Sequence, residues 1–278
     1  MLNNQIEINR FRVEYAKRSL QKDQIAVEEP LQITLSQGNL SDIFSITLRT
    51  PGNDQQLACG LLFSEGVISR SDDILSFELE DIEGEISVNL LNVVLASRVK
   101  LELDNKIRRH PSYSGCGLCG KTSLQALELK QSRSKKPLIS QIDNQLIARL
   151  RKSLADQSLF SQTGGSHVAG LIYENNGILE INNSPFFEDV GRHNALDKLI
   201  GHELQKNNLG QTGILILSGR IGFELVQKSV MAGFSVIVAL GAPSNLAIQA
   251  ANRFNIALIG FAKDNSFNLY TADEQLLR

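Results

Sequence analysis

The sequence predicts an α/β protein, α+β overall, with a small β-rich N-terminal part and a C-terminal half built on mostly parallel strands. Three observations carry that expectation. Phe44, Ile46 and Leu48 alternate with Ser45 and Thr47, and Ile86, Val88 and Leu90 alternate again, the period of half-buried strands. From residue 165 onward, short apolar runs alternate with helical patterns. Two successive strand–turn–helix units there imply right-handed crossovers and largely parallel pairing.

In chain order, residues 1–110 form the β-rich part and 111–278 the α/β part. Pro51-Gly52 marks a turn, and the apolar segment from Leu57 to Phe63 can be helical. Gly66 suits the end of that helix because glycine tolerates positive φ. Residues 85–103 read as a strand pair or one long bent strand. A loop at 111–120 precedes a helix of about 121–130, and the polar stretch 130–137 reads as exposed. Ile147, Leu150 and Leu154 fall at helical spacing, so 143–158 reads as a helix. Strand 168–173 has a short partner at 178–181 across Asn175-Asn176-Gly177. Leu196, Leu199, Ile200 and Leu204 place a helix over 189–206. Strands follow at 213–217, 236–240 and 257–261, with helices at about 222–232 and 245–254 between them.

Composition excludes several classes. The 278 residues, 42% hydrophobic, suffice for one large domain or two ordinary ones. With 28 basic and 30 acidic residues the net charge is -2, and no basic stripe points to nucleic acid. No apolar run reaches the ~18 residues of a membrane span. Met1-Leu2-Asn3-Asn4-Gln5 lacks the regions of a signal peptide. Three cysteines do not make a secreted disulfide framework. The expectation is a soluble cytoplasmic protein with reduced thiols.

Cys116-Gly117-Leu118-Cys119-Gly120 carries the densest chemistry. Two thiols at this spacing can share a disulfide, share a metal, or pass sulfur. Their glycine neighbours leave backbone and sulfur accessible. A helix start just beyond them offers unpaired N–H groups and a positive dipole end, which favour thiolate. Zinc fits less well. A zinc deaminase needs an upstream His-x-Glu, and none of His110, His167, His193 and His202 lies in one. A structural zinc site needs a second ligand pair. The pair therefore reads as redox or sulfur-transfer chemistry. Cys59, inside Leu57–Phe63, reads as a small core residue.

Glu188-Asp189-Val190-Gly191-Arg192-His193-Asn194 is too polar for a plain helix start. At helical spacing Asp189, His193 and Asp197 share one face, where a carboxylate would orient His193. Arg192 can grip a phosphate bidentately. Ser218-Gly219-Arg220 and Ala242-Pro243-Ser244 each join a strand to a helix, and Thr163-Gly164-Gly165-Ser166-His167 precedes a strand. Ligands bind outside the carboxyl ends of parallel strands, where helix N-termini present N–H groups. A phosphate-bearing ligand follows, with Arg220 in reach. In Gly260-Phe261-Ala262-Lys263-Asp264-Asn265-Ser266 the last strand runs into a polar loop, and Phe261 can stack on a ring or fill a core.

Together these blocks resemble the FdhD family, sulfurtransferases required for active formate dehydrogenase. The resemblance also rests on Glu29-Pro30-Leu31, Arg49-Thr50-Pro51 and Ser64-Glu65-Gly66, and it spans almost the whole chain. It implies a cytidine-deaminase-like three-layer core without the zinc, and a homodimer. It implies that Cys116 carries a persulfide taken from a cysteine desulfurase, with Cys119 assisting or receiving it. The sulfur would pass to a molybdenum (or tungsten) bis(molybdopterin guanine dinucleotide) cofactor, the bound substrate, which is delivered to formate dehydrogenase. The resemblance places cofactor binding on Phe261, Ala262, Lys263, Asp264, Asn265 and Ser266; Arg192, His193 and Arg220 join them from the residue reading. The alternative is a chaperone that holds the cofactor without making sulfur bonds.

Overall fold

The computed structural model describes residues 3–82, 85–100, 142–175, 178–211 and 213–271. The loop expected at 111–120, with Cys116 and Cys119, and the helix expected over 121–130 lie outside the described residues.

The chain opens as a ribbon of β1 (Gln5–Glu14) and β2 (Lys17–Ala26), paired antiparallel. Tyr15 and Ala16 turn it with φ of 45° and 63°, the positive pair that matches the twist of a tight hairpin. A four-stranded sheet follows, made of β3 (Glu29–Gln37), β4 (Leu40–Arg49), β5 (Ile74–Ile82) and β6 (Glu85–Leu95) in the order β4-β3-β6-β5. Helix α1 (Asp54–Ser64) packs on its inner face and stops before Gly66, whose φ is 71°.

In β4 the polarity expected from the alternation is inverted. Phe44 is buried, but Ile46 and Leu48 are exposed (38% and 37%), and Ser45, Thr47 and Arg49 point inward. The register shift opposite Ile33 and Thr34 leaves Phe44 as an extra residue. One extra residue turns every later side chain to the other face. In β6, likewise, Leu91, Val93 and Leu95 are buried while Ile86 is exposed.

The second sheet holds β7 (His167–Asn175), β8 (Ile178–Leu179), β9 (Phe186–Asp189), β10 (Gly213–Leu217), β11 (Val236–Ala239), β12 (Ala257–Lys263) and β13 (Ser266–Thr271). Its order is β13-β12-β11-β10-β7, with β8 and β9 both on β7. The parallel core that the two strand–helix units imply is β10–β11–β12. Around it β13 and β7 run antiparallel; β13 follows β12 through a tight hairpin, which permits no other direction.

The other described helices are α2 (Asn144–Ala155), α3 (Ser158–Thr163), α4 (Arg192–Gln205), α5 (Phe223–Ala232) and α6 (Asn245–Arg253). The segment read as one helix over 143–158 is thus α2, a break at Asp156-Gln157, and α3. Both faces of the sheet are covered, which explains its almost wholly apolar central strands. Leu215, Leu217 and Ile237 face α4, α5 and α6, and α1 with the first sheet joins this core. Ile214, Ile216 and Val238 face Ile147, Leu150 and Leu154 of α2. Helices α1 and α4 approach through two glycines. A Cβ on Gly60 would stand 1.9 Å from the Asp197 carbonyl oxygen, and one on Gly201 2.0 Å from that of Gln56.

Candidate functional site

Three parallel strands bring their carboxyl ends to one edge of the second sheet. The antiparallel registers Leu217↔Ala169 and His167↔Asp189 add the start of β7 and the end of β9 to that edge. An open cavity of about 290 Å³ lies there, lined by His167, Arg192, Ser218, Gly219, Arg220, Leu240 and Gly241. The sequence blocks around residues 167, 192, 219 and 241 therefore converge, at the edge where parallel sheets bind ligands.

The cavity floor is backbone. The Gly241 N–H donates to the Gly219 carbonyl (3.2 Å), and the Phe261 N–H donates to the Gly241 carbonyl (3.1 Å), so three strand-end loops hang on one another. The Ser218 hydroxyl accepts from the Val168 N–H at 2.9 Å and ties the first loop to β7. A Cβ on Gly241 would lie 2.7 Å from the Arg220 nitrogen, and one on Gly219 3.0 Å from His167 Nδ1. Only glycine lets these backbones and the imidazole come so close.

Asp189 anchors the start of α4. It is fully buried, and Lys198 Nζ lies 2.7 Å from its Oδ2. It also accepts from the N–H groups of Thr50 (3.1 Å) and Gly191 (2.8 Å) and from Asn194 Nδ2 (3.1 Å). Lys198 donates further to the Thr50 carbonyl at 2.9 Å. Glu188 accepts from the N–H groups of Leu159 and Phe160, capping α3. Arg49, wholly buried, holds Asp54 through Nε at 2.9 Å and Asn89 through Nη2 at 2.9 Å. The inverted face of β4 has its reason here: Thr47, Arg49 and the chain at Thr50 serve this polar network.

The shared helical face expected for Asp189, His193 and Asp197 does not form. Asp189 ends β9, and the helix begins only at Arg192. Asp197 points into the core, where Lys228 Nζ donates to it at 2.6 Å and the Ser64 hydroxyl at 3.1 Å. The carboxylate that meets His193 is Glu224, in the first turn of α5, with Nε2–Oε2 at 3.2 Å. The pair bridges the N-termini of α4 and α5. Nothing in the sequence links positions 193 and 224.

Arg192 and Arg220 do meet at the cavity. Arg192 Nε is buried and, among the described residues, without a hydrogen-bond partner, while Arg220 is exposed. His167, absent from the residues the sequence singled out as a site, completes the wall. Burial pushes its pKa below the ordinary histidine value; the Arg192 charge adds to this and Asp189 opposes it. Its one sequence signal is its place at the end of a Gly-Gly-Ser loop just before a strand.

The stretch 261–266 divides. Phe261 sits at the loop junction with φ of 51° and is 42% exposed. Ala262 is buried against the α2 side of the sheet. Lys263 and Ser266 close the β12–β13 hairpin, and Asp264 at its tip pairs with Arg151 of α2. A large residue held in the left-handed region costs about 1–2 kcal/mol and marks functional sites more often than others. Phe261→Gly is therefore expected to be more stable than Phe261→Ala by about 1 kcal/mol, read from urea midpoints; the reverse order would contradict the strained conformation. Cys59 is the core residue expected, its thiol pushed up to about 12 by burial.

Comparison with known proteins identifies the family. The sequence model of the FdhD/NarQ family matches residues 26–277. The chain is 38% identical over 261 residues to the sulfur carrier protein FdhD of Sulfolobus acidocaldarius, covering 93% of each chain. To the protein of the same name from Streptomyces coelicolor it is 38% identical over 270 residues, covering 94% of this chain and 92% of that one. A crystal structure from Desulfotalea psychrophila, described as that of a formate dehydrogenase accessory protein, shares the fold. Its TM-score is 0.71 at 22% identity, over 99% of this chain and 100% of that one. The chain belongs to the FdhD/NarQ family.

Proposed function

We propose that this protein is a sulfur carrier acting as a sulfurtransferase in the activation of formate dehydrogenase. Cys116 takes sulfur as a persulfide from a cysteine desulfurase, and Cys119 assists or receives it. The acceptor is the bis(molybdopterin guanine dinucleotide) cofactor, bound as substrate. Relatives at 38% identity that bear the name sulfur carrier protein support the carrier role.

The observation that carries the substrate assignment is the meeting of Arg192 and Arg220 over a backbone-floored cavity at the strand ends. Two guanidiniums, one with a buried Nε that has no hydrogen-bond partner among the described residues, suit phosphate oxygens. Phe261, partly exposed and tied through its N–H to the Gly241 carbonyl of the cavity floor, is the aromatic residue we assign to stacking on a base. A cavity of about 290 Å³ takes one end of so large a cofactor and leaves the rest outside. To that outer part we assign His193, braced by Glu224, and Lys263, Asp264 and Asn265 of the β12–β13 hairpin. The partners are the desulfurase, formate dehydrogenase and a second copy of the chain, for which Ile46, Leu48 and Ile86 offer exposed apolar surface. No described helix is long and apolar enough to cross a membrane, and we place the protein in the cytoplasm.

The test is formate dehydrogenase activity in cells that lack their own carrier. Cys116→Ala is expected to abolish activation. Arg192→Ala and Arg220→Ala each remove a charge-assisted contact worth about 1.5–3 kcal/mol, which lowers cofactor affinity roughly 10- to 150-fold. Full activation by Cys116→Ala would instead identify a chaperone that holds the cofactor without making sulfur bonds.

A further inference from the structure

We infer that His167 is the proton-linked member of the strand-end anion site: neutral while the cavity is empty, protonated when a doubly charged anion lies against Arg192 and Arg220. The inference rests on reading the cavity as an anion site and adds to it a group that gains charge on binding.

His167 is the first residue of β7 and forms part of the cavity wall. Gly219 presents no side chain to it, since a Cβ there would stand 3.0 Å from Nδ1. The imidazole therefore borders the space a ligand would fill.

The charged groups that face His167 come from three elements. Arg192 approaches from the first turn of α4, close enough that its Cδ lies 3.9 Å from the same Gly219 position. Arg220, on the loop after β10, lines the same cavity. Asp189 is its register partner on β9. That carboxylate is already committed to Lys198 at 2.7 Å and to three further donors. In the empty cavity an imidazolium is penalised first by partial burial and then by the Arg192 charge; Asp189 opposes them without reversing the balance, so the pKa is lowered.

A bound dianion reverses the balance. It neutralises the field of the arginines and offers oxygens to an N–H of the ring. An opposite charge at contact distance raises a histidine pKa by about one to three units. Binding then takes up one proton from solvent. The sign follows: the bound-state pKa lies above the free-state value, so binding is strongest below the free-state value. Affinity falls as pH rises between the two, by up to about tenfold per pH unit, and levels off above the bound-state value.

Sulfate is the probe, because its own charge does not change across neutral pH. The protein is labelled with ¹³C-histidine and the imidazole signals are titrated with and without saturating sulfate. There are four histidines, and the signal missing from His167→Gln identifies the one of interest. The expected result is a rise of about one to two units in the His167 midpoint, larger than that at His193 and His202. Sulfate affinity should depend on pH in the wild type and be flat in His167→Gln. Saturable shifts of the Gly219 and Gly241 amides with an unmoved His167 midpoint would overturn this inference and leave the anion site standing. No saturable shift of those amides in the wild type would overturn the anion site itself, and the inference with it.

Discussion

Lys198→Met is expected to destabilise the protein by about 3–5 kcal/mol, the cost of breaking a buried ion pair from one side. Both partners are inside the fold: Lys198 is 1% exposed and Asp189 0%. Without Lys198 Nζ, Asp189 keeps its three hydrogen-bond donors but has no cation, in surroundings that solvate a carboxylate poorly. The Thr50 carbonyl also loses its 2.9 Å donor. The damage should reach the cavity, because this pair fixes the end of β9 against the start of α4, where Arg192 emerges. The check is the urea midpoint of wild type, Lys198→Met and Lys198→Met/Asp189→Asn. Removing the orphaned charge in the double variant should recover part of the loss. A single variant within about 1 kcal/mol of wild type would show that the pair does not hold this junction.

Gly201→Ala is expected to cost about 3 kcal/mol, the upper part of the range for overpacking. Its Cβ would lie 2.0 Å from the Gln56 carbonyl oxygen and 2.8 Å from the Gly60 nitrogen. Both are helix backbone, so no side chain can swing aside, and α1 must move off α4. Gly60→Ala should behave alike, since its Cβ would meet the Asp197 carbonyl oxygen at 1.9 Å. Gly222→Ala is the control: nothing lies within 4 Å of the added carbon, and the expected change is about 1 kcal/mol or less, the cost of a poorer helix cap. Thermal unfolding of the three variants decides it. Equal midpoints for Gly201→Ala and Gly222→Ala would contradict the close helix crossing.

What could be read from the chain, and what could not, follows the range of the forces involved. The alternation of apolar runs and helical patterns after residue 165 is local, and it placed β10, α5, β11, α6 and β12 to within a few residues. The end of α1 before Gly66 was equally local. The face of β4 was not. Ile46 and Leu48 look like core residues by period, but a bulge at Phe44 and the polar network around Thr50 turn them outward. The same network ends β9 at Asp189 and delays the helix to Arg192, whereas helical spacing alone carried the helix back to 189.

The site divides in the same way. Arg192 and Arg220 were identified by residue type and by their place after strands, and they meet at one cavity. His167 gains its position from an antiparallel register with β9 and β10, which no local pattern encodes. Glu224 meets His193 only because α4 and α5 start side by side. Gly60 and Gly201 look unremarkable in the sequence because their role is defined by another helix's backbone.

The central claim is that sulfur travels on the cysteine pair. Its most direct test is the intact mass of the protein after incubation with an active cysteine desulfurase and cysteine, for wild type, Cys116→Ala and Cys119→Ala. The account predicts a gain of one sulfur in the wild type, removed by a reducing agent and absent from Cys116→Ala. A wild type that gains no sulfur beside an active desulfurase would contradict it, and would leave a protein that holds the cofactor but does not sulfurate it.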